Sequence, residues 1–108
     1  MESSFLPVLL SVEILPPECK QLLGMVTASC CLSKSLVGDL HANLKNWTIG
    51  GELKGYSELI ERATELVLQR LKNKATKLGA SHIIGVRLTT TQVSEGAAEL
   101  IAYGTAVK

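Results

Sequence analysis

The sequence predicts an α+β domain in which one long helix packs on an antiparallel sheet. Three observations lead to this prediction: apolar residues recur at helical spacing over residues 54–78, a glycine follows at position 79, and two alternating apolar stretches come next. At 108 residues the chain has the length of one domain. We expect residues 1–18 to form a leader or strand and residues 19–108 to form the domain.

Composition excludes several classes of protein. Hydrophobic residues make up 46% of the chain and charged residues 19%, so it can bury a core and is not of the disordered type. The formal net charge is only +1, and the aromatic residues are one Trp, one Phe and two Tyr. Nucleic-acid binding needs basic patches and stacking surfaces, so we expect no nucleic-acid partner.

The N-terminal apolar run, Phe5–Leu10, is too short for a membrane span and has no basic residue before it, as a signal peptide would. We therefore expect a cytoplasmic protein without a membrane partner. The chain has three cysteines, and in that compartment they are expected to be free thiols.

Two strands are predicted before the helices. Val8–Leu15 is the first candidate, and it must end at Pro16-Pro17 because proline cannot donate to a strand ladder. The second is Leu22–Leu32, in which side chains alternate between two faces. The core face is expected to hold Val26, Ala28, Cys30 and Leu32, and the other face Met25, Thr27, Ser29 and Cys31.

The helical part begins with a short helix, about Leu36–Trp47, capped by Ser33 or Ser35. A loop, Thr48–Gly51, leads to the long helix over Lys54–Leu78. Its apolar positions are Tyr56, Leu59, Ile60, Ala63, Leu66, Val67, Leu71, Ala75 and Leu78. Gly79 is the expected stop, since glycine accepts positive φ. The charged residues also follow the order that the helix dipole favours. Acidic residues lie near the start of the helix, at Glu52, Glu58 and Glu61, and basic residues near its end, at Arg70, Lys72, Lys74 and Lys77.

A hairpin is predicted to complete the chain. Its strands are Ser81–Thr91 and Ala97–Val107, joined by a turn at Glu95-Gly96. If side chains alternate strictly along both strands, one face of the hairpin carries small and aliphatic residues that can pack against the helix. The opposite face of the hairpin then carries large apolar residues. Monomers avoid such exposed patches, so we expect a homo-oligomer that buries this second face. The large apolar residues of this second face are Ile83, Ile101, Tyr103 and Val107.

Four short motifs occur in order, and together they resemble the YbjQ-like family of small, largely uncharacterised bacterial proteins, which is labelled heavy-metal-binding. The resemblance implies a dodecin-like β-α-β-β subunit that assembles as a ring-shaped pentamer. Ala28 departs from the family, which usually has a second glycine there. The four motifs are Gly24-Met25-Val26-Thr27, Gly50-Gly51 followed by Tyr56, Leu78-Gly79-Ala80 followed by Ile83-Ile84-Gly85-Val86, and Gly104-Thr105-Ala106-Val107.

Metal ligation is the chemistry for which the sequence offers candidates. No C-x-x-C or H-x₃-H spacing occurs, so a closed structural zinc site is not expected and any heavy-metal ion should be bound weakly. Cys30 is assigned to the core face, whereas Cys31 lies on the polar face and His82 at a strand start. We therefore predict Cys31 and His82 as metal ligands, chosen from Cys19, Cys30, Cys31, His41 and His82.

No catalytic motif is evident in the sequence. It has no phosphate-binding glycine loop, no motif around a nucleophile and base, and no acid–base pair of carboxylates. The function predicted is therefore a non-catalytic oligomeric module that binds a metal ion or small ligand at subunit interfaces. The alternatives are a structural assembly protein without a ligand and an enzyme whose site lies between subunits.

Overall fold

The computed structural model describes residues 6–33, 48–49, 52–94 and 97–108. Within them the chain is an α+β domain, as predicted: one helix packs on a four-stranded sheet, and a two-stranded sheet lies apart from it. The elements are β1 (Val8–Leu9), β2 (Leu22–Ser33), β3 (Thr48–Ile49), β4 (Glu52–Leu53), α1 (Lys54–Lys77), β5 (His82–Ser94) and β6 (Ala97–Val107).

The main sheet has the strand order β1-β5-β6-β2. Strand β1 is parallel to β5, whereas β5 and β2 both pair antiparallel with β6. The sheet is therefore mixed, and the prediction of an antiparallel sheet is wrong at this edge, because the N-terminal segment joins β5 as a parallel strand. Ala102 of β6 pairs with Ala28 on one side and Leu88 on the other, and it is fully buried. Helix α1 packs on this face, against β2 and β6.

The buried stripe of α1 is narrower than its apolar pattern. Ile60, Leu66 and Leu78 are 46%, 43% and 46% exposed, although the helical spacing includes them. The residues that enter the core follow a spacing of four and wind slowly around the helix, which fits packing along a twisted sheet. They are Leu59, Ala63, Val67, Leu71 and Ala75.

Gly79 ends the helix as predicted, with φ of 81°. Its N–H donates to the Thr76 carbonyl at 2.9 Å, and the Ala80 N–H donates to the Ala75 carbonyl at 3.1 Å. This pair of bonds is the Schellman motif, which satisfies two of the last helix carbonyls. The glycine is required because the motif places this residue in the left-handed region.

The Gly79→Val variant should lose about 2 kcal/mol of unfolding free energy, because a β-branched residue is strained at positive φ. Space is not the limitation, since a Cβ here would meet only Lys108 Nζ, at 3.9 Å. Gly79→Asn should lose less, because asparagine tolerates this conformation. Denaturant unfolding of the three proteins at one concentration measures the difference; equal stabilities would contradict the assignment.

The dipole prediction holds at only one end of α1. Lys74 and Lys77 lie in the last turn, but the first turn contains no acidic residue. Glu52 lies before the helix, in β4, and Glu58 lies beyond the first turn. Only the C-terminal charges are therefore placed to interact favourably with the helix dipole.

The predicted loop at Thr48–Gly51 is wrong in part, because Thr48–Ile49 pairs antiparallel with Glu52–Leu53. Two β-branched residues followed by two glycines are also a hairpin signal, and pairing across the glycines outweighs the open loop that the sequence predicts. Gly50-Gly51, the predicted helix Leu36–Trp47 and the turn Glu95-Gly96 lie outside the described residues.

A bulge in β5 overturns the predicted alternation. Gly85 has φ of 63°, and Gly85 and Val86 together lie opposite the single residue Gly104. This extra residue shifts the side chains that follow it to the other face. As a result Ile83 and Val86, predicted on opposite faces, both pack in the core beneath the helix.

The N-terminal strap, residues 6–21, covers part of the sheet face opposite α1. Its regular strand, Val8–Leu9, is much shorter than the predicted Val8–Leu15. Leu10 and Cys19 pack with Ile84 and Val107 in a second small core.

The uncovered patch predicted on this face is therefore wrong in part. Ile83 is in the helix-side core, and Val107 is completely buried beneath the strap. Ile101 and Tyr103 are half-buried. Strict alternation assigns this face incorrectly, because it takes no account of the bulge at Gly85 or of the strap that covers Val107.

Candidate metal centre

A turn at the two prolines directs the strap back to the sheet. The Cys19 N–H donates to the Pro16 carbonyl at 2.9 Å, which closes a four-residue turn with Pro17 at its second position. Proline favours that position because its φ is already fixed near the required value. The turn places Glu18 and Cys19 next to the start of β5.

His82 is the first residue of β5, and its ring lies beside Cys19. Cys19 Sγ is 3.3 Å from His82 Nδ1, and Ser81 Oγ is 2.8 Å from the same nitrogen. Cys19 Sγ and Ser81 Oγ are 3.6 Å apart. Cys19 is 4% exposed and the His82 side chain 12%, so a sulfur, a nitrogen and a hydroxyl oxygen converge in a largely buried position.

Glu18 lies on the other side of the imidazole, with its Oε2 3.3 Å from His82 Nε2. A carboxylate there accepts the Nε2–H bond, and in that tautomer Nδ1 is the acceptor nitrogen. Nδ1 then faces the Ser81 hydroxyl and the Cys19 thiol, which both lie within hydrogen-bond distance of it. Metal-binding histidines are oriented in this manner, by a carboxylate at the nitrogen that does not bind the metal.

The separation of sulfur and nitrogen fits a shared metal ion. With Zn–S near 2.3 Å and Zn–N near 2.0 to 2.1 Å, a tetrahedral angle sets the two donors about 3.5 Å apart. The observed 3.3 Å is close to that value. The separation of Cys19 Sγ and His82 Nδ1, which corresponds to a hydrogen bond here, is thus also compatible with two donors to one ion.

The described residues do not supply a complete set of metal ligands at this site. Within the described part of the chain, no group of three or more His, Cys, Asp or Glu side chains could hold a metal ion. His82 presents Nδ1 to the thiol and Nε2 to Glu18, so the carboxylate lies away from the thiol side of the ring. An ion between Cys19 and His82 would have these two strong protein donors, and water or an exchangeable ligand would have to supply the rest.

Cys31 lies far from His82, although both were predicted as ligands. Cys31 pairs with Glu99 and His82 with Val107, so eight residues of β6 separate them, roughly 26 Å at about 3.3 Å per residue. Within one chain they do not share an ion. Cys31 is exposed, and its role as a separate ligand stays a prediction.

The faces assigned to β2 are confirmed. Cys30 is 7% exposed and packs in the core below α1 together with Val26 and Leu32. His41 lies outside the described residues. The sequence does not single out Cys19 among the possible ligands, because its neighbour His82 lies 63 positions further along the chain.

A family model described as "Putative heavy-metal-binding" matches residues 10–108. The chain belongs to this YbjQ family. It is 44% identical over 89 residues to a UPF0145 protein of Thermotoga maritima, covering 82% of this chain and 83% of that protein. A UPF0145 protein of Hahella chejuensis is 49% identical over 85 residues, covering 79% and 81%.

A solved structure shares the fold of this YbjQ-family chain. It is a Pediococcus pentosaceus protein of unknown function from the DUF74 family, with a TM-score of 0.59 and 18% identity over 92% of each chain. At that identity the likeness concerns the fold alone. Among the described residues, no helix is long and apolar enough to cross a bilayer.

Proposed function

We propose that this YbjQ-family protein binds a soft heavy-metal ion through Cys19 Sγ and His82 Nδ1. The observation that supports the proposal is their separation of 3.3 Å in a largely buried position, with Glu18 orienting the ring from the other side. The thiol binds as thiolate and releases its proton to solvent. The family description points to the same chemistry.

The donor atoms define the class of ion. Thiolate and imidazole suit soft or borderline ions such as Cu⁺, Zn²⁺ and their heavier relatives. Magnesium and calcium prefer sets of oxygen donors, and only Ser81 contributes an oxygen on the thiol side. With two strong protein donors, the ion is held weakly and exchanges readily, as the sequence predicted.

Cadmium titration of the purified, reduced protein tests the proposal. The wild type should show saturable cadmium–thiolate absorption in the ultraviolet with one ion per chain, and Cys19→Ser should abolish it. Glu18→Gln retains both donors but weakens the support of His82, so its affinity should fall about tenfold. Zinc competition against cadmium extends the measurement to a borderline ion.

Cys31→Ser is the matched control, because it removes an exposed thiol by the same substitution. It should leave the cadmium signal unchanged. If Cys31→Ser abolishes the signal while Cys19→Ser retains it, the site lies at Cys31, as the sequence predicted, and the proposal for Cys19 fails. Circular dichroism of each variant checks that the fold is intact.

We also propose that the protein is a homo-oligomer, with a ring-shaped pentamer of dodecin-like subunits as the expected form. Leu22 and Met25, at the start of β2, are 66% and 70% exposed, which supports burial against another copy. Sedimentation velocity at micromolar concentration should give a species several times heavier than 11.6 kDa. A stable monomer would contradict the assembly.

The free thiol that the metal site needs fits the reducing cytoplasm, which is the proposed location.

A further inference from the structure

The two metal donors come from different parts of the fold. Cys19 belongs to the N-terminal strap, whereas His82 begins β5 and is held in the sheet between β1 and β6. The two residues are 63 positions apart in sequence. An ion bound to both would therefore join the strap to the sheet and close a long loop of chain.

The strap is held to the sheet at two places. Near its start, the N–H groups of Val8 and Leu10 donate to the carbonyls of Ser81 and Ile83, at 3.0 and 2.8 Å, and the Gly85 N–H donates to the Val12 carbonyl at 2.6 Å. The Arg87 guanidinium extends this attachment by donating to the Ser11 carbonyl and to the Glu13 carboxylate. Near its end, the N–H groups of Lys20 and Gln21 both donate to the Lys108 carbonyl, at 2.8 and 2.7 Å.

Between these two places the described backbone of residues 14–18 makes no hydrogen bond to the sheet. Ile14 is 75% exposed, and Glu18 reaches the sheet only through its side chain. The middle of the strap is therefore the part that opens most easily, since few buried contacts or hydrogen bonds hold it. Cys19 lies at the end of this segment, next to the bonded pair Lys20 and Gln21, so an ion bound there would extend the second attachment toward the free middle.

We propose that metal binding at Cys19 and His82 acts as a latch that closes the N-terminal strap over the sheet. The inference rests on the proposed function, because it requires one ion shared by the two donors. Opening the strap moves Cys19 away from His82 and breaks the site, so the ion binds the closed state and stabilises it by mass action. At a free ion concentration ten times the Kd, opening should become about tenfold rarer.

Closure of the strap controls which apolar surface the protein presents. Ile84 and Val107 are buried under Leu10 and Cys19 when the strap is closed. When this segment opens, Cys19 leaves the cluster and uncovers part of Ile84 and Val107, whereas Leu10 stays bonded to β5. Metal binding would therefore reduce the exposure of this apolar surface.

Hydrogen exchange with mass spectrometry tests the latch on the full-length protein with cadmium as the ion. Peptides that contain Cys19, Lys20 and Gln21, whose bonded N–H groups lie at the latched end of the strap, should exchange about tenfold more slowly at ten times the Kd. Peptides from the middle of α1 should change less, because the strap opens without unfolding the helix. Cys31→Ser should behave as the wild type, and Cys19→Ser should show no slowing.

The outcomes separate the latch from the proposed function. Cadmium absorption with unchanged exchange in the strap would overturn the latch and leave the binding site in place. No cadmium absorption in the wild type would overturn both. Equal slowing in Cys19→Ser would show that the effect does not pass through this pair. His82→Gln provides a second variant if Cys19→Ser fails to fold, and it should also show no slowing.

Discussion

The Leu71→Ala variant is expected to lose about 3 kcal/mol of unfolding free energy, within the range measured for buried leucines. Leu71 is fully buried in the stripe of residues by which α1 packs on the sheet. The substitution removes the transfer energy of the side chain and leaves a cavity that neighbouring strands cannot easily fill. Denaturant unfolding at a fixed protein concentration measures the loss.

Leu66→Ala is the matched control, with the same substitution on the same helix. Leu66 is 43% exposed, so its replacement should cost less than about 1 kcal/mol. Alanine also has the higher helix propensity, which offsets part of that cost. If both variants lose the same stability, α1 does not pack through the stripe described, and either the helix rotation or the core is different.

Gly104→Val should be the other strongly destabilising variant, with a loss of about 3 kcal/mol. A Cβ at position 104 would lie 2.9 Å from Ile83 Cγ2 and 3.0 Å from the Ile84 carbonyl oxygen. The second contact is with backbone, so it cannot be relieved by a change of rotamer. The bulge at Gly85 brings this backbone close, because two residues of β5 lie opposite one residue of β6.

Thr105→Val is the control for Gly104→Val, since it introduces the same side chain at the next position of β6. Thr105 is half-buried on the opposite face and already has a branched side chain. Its replacement should change stability by less than about 1 kcal/mol. A Gly104→Val protein as stable as wild type would show that β5 and β6 are further apart at the bulge.

The candidate site joins a side chain of the N-terminal strap to a side chain of the sheet. The thiol and imidazole are close enough to bind one ion, yet one belongs to a loosely held strap and the other to the sheet. The proposed ion would therefore change local stability rather than the fold. That behaviour suits a small protein in which the described residues offer no complete metal cage.

The sequence by itself determined the elements whose signals are local. The spacing of Leu59, Ala63 and Val67 specifies a helix, and Gly79 specifies where it ends because few other residues accept that backbone conformation. The alternation in β2 separates Cys30 from Cys31 correctly, since the side-chain period of a strand is fixed at two. These signals depend only on neighbouring residues.

Only the tertiary structure decided the faces of β5 and which residues meet at the candidate site. The bulge at Gly85 depends on pairing with β6, so alternation along β5 alone misplaces Ile83. Cys19 meets His82 because the strap crosses the sheet and turns at two prolines that appear in the sequence only as a strand breaker. A contact between residues 63 positions apart depends on the path of the intervening chain, which periodicity does not encode.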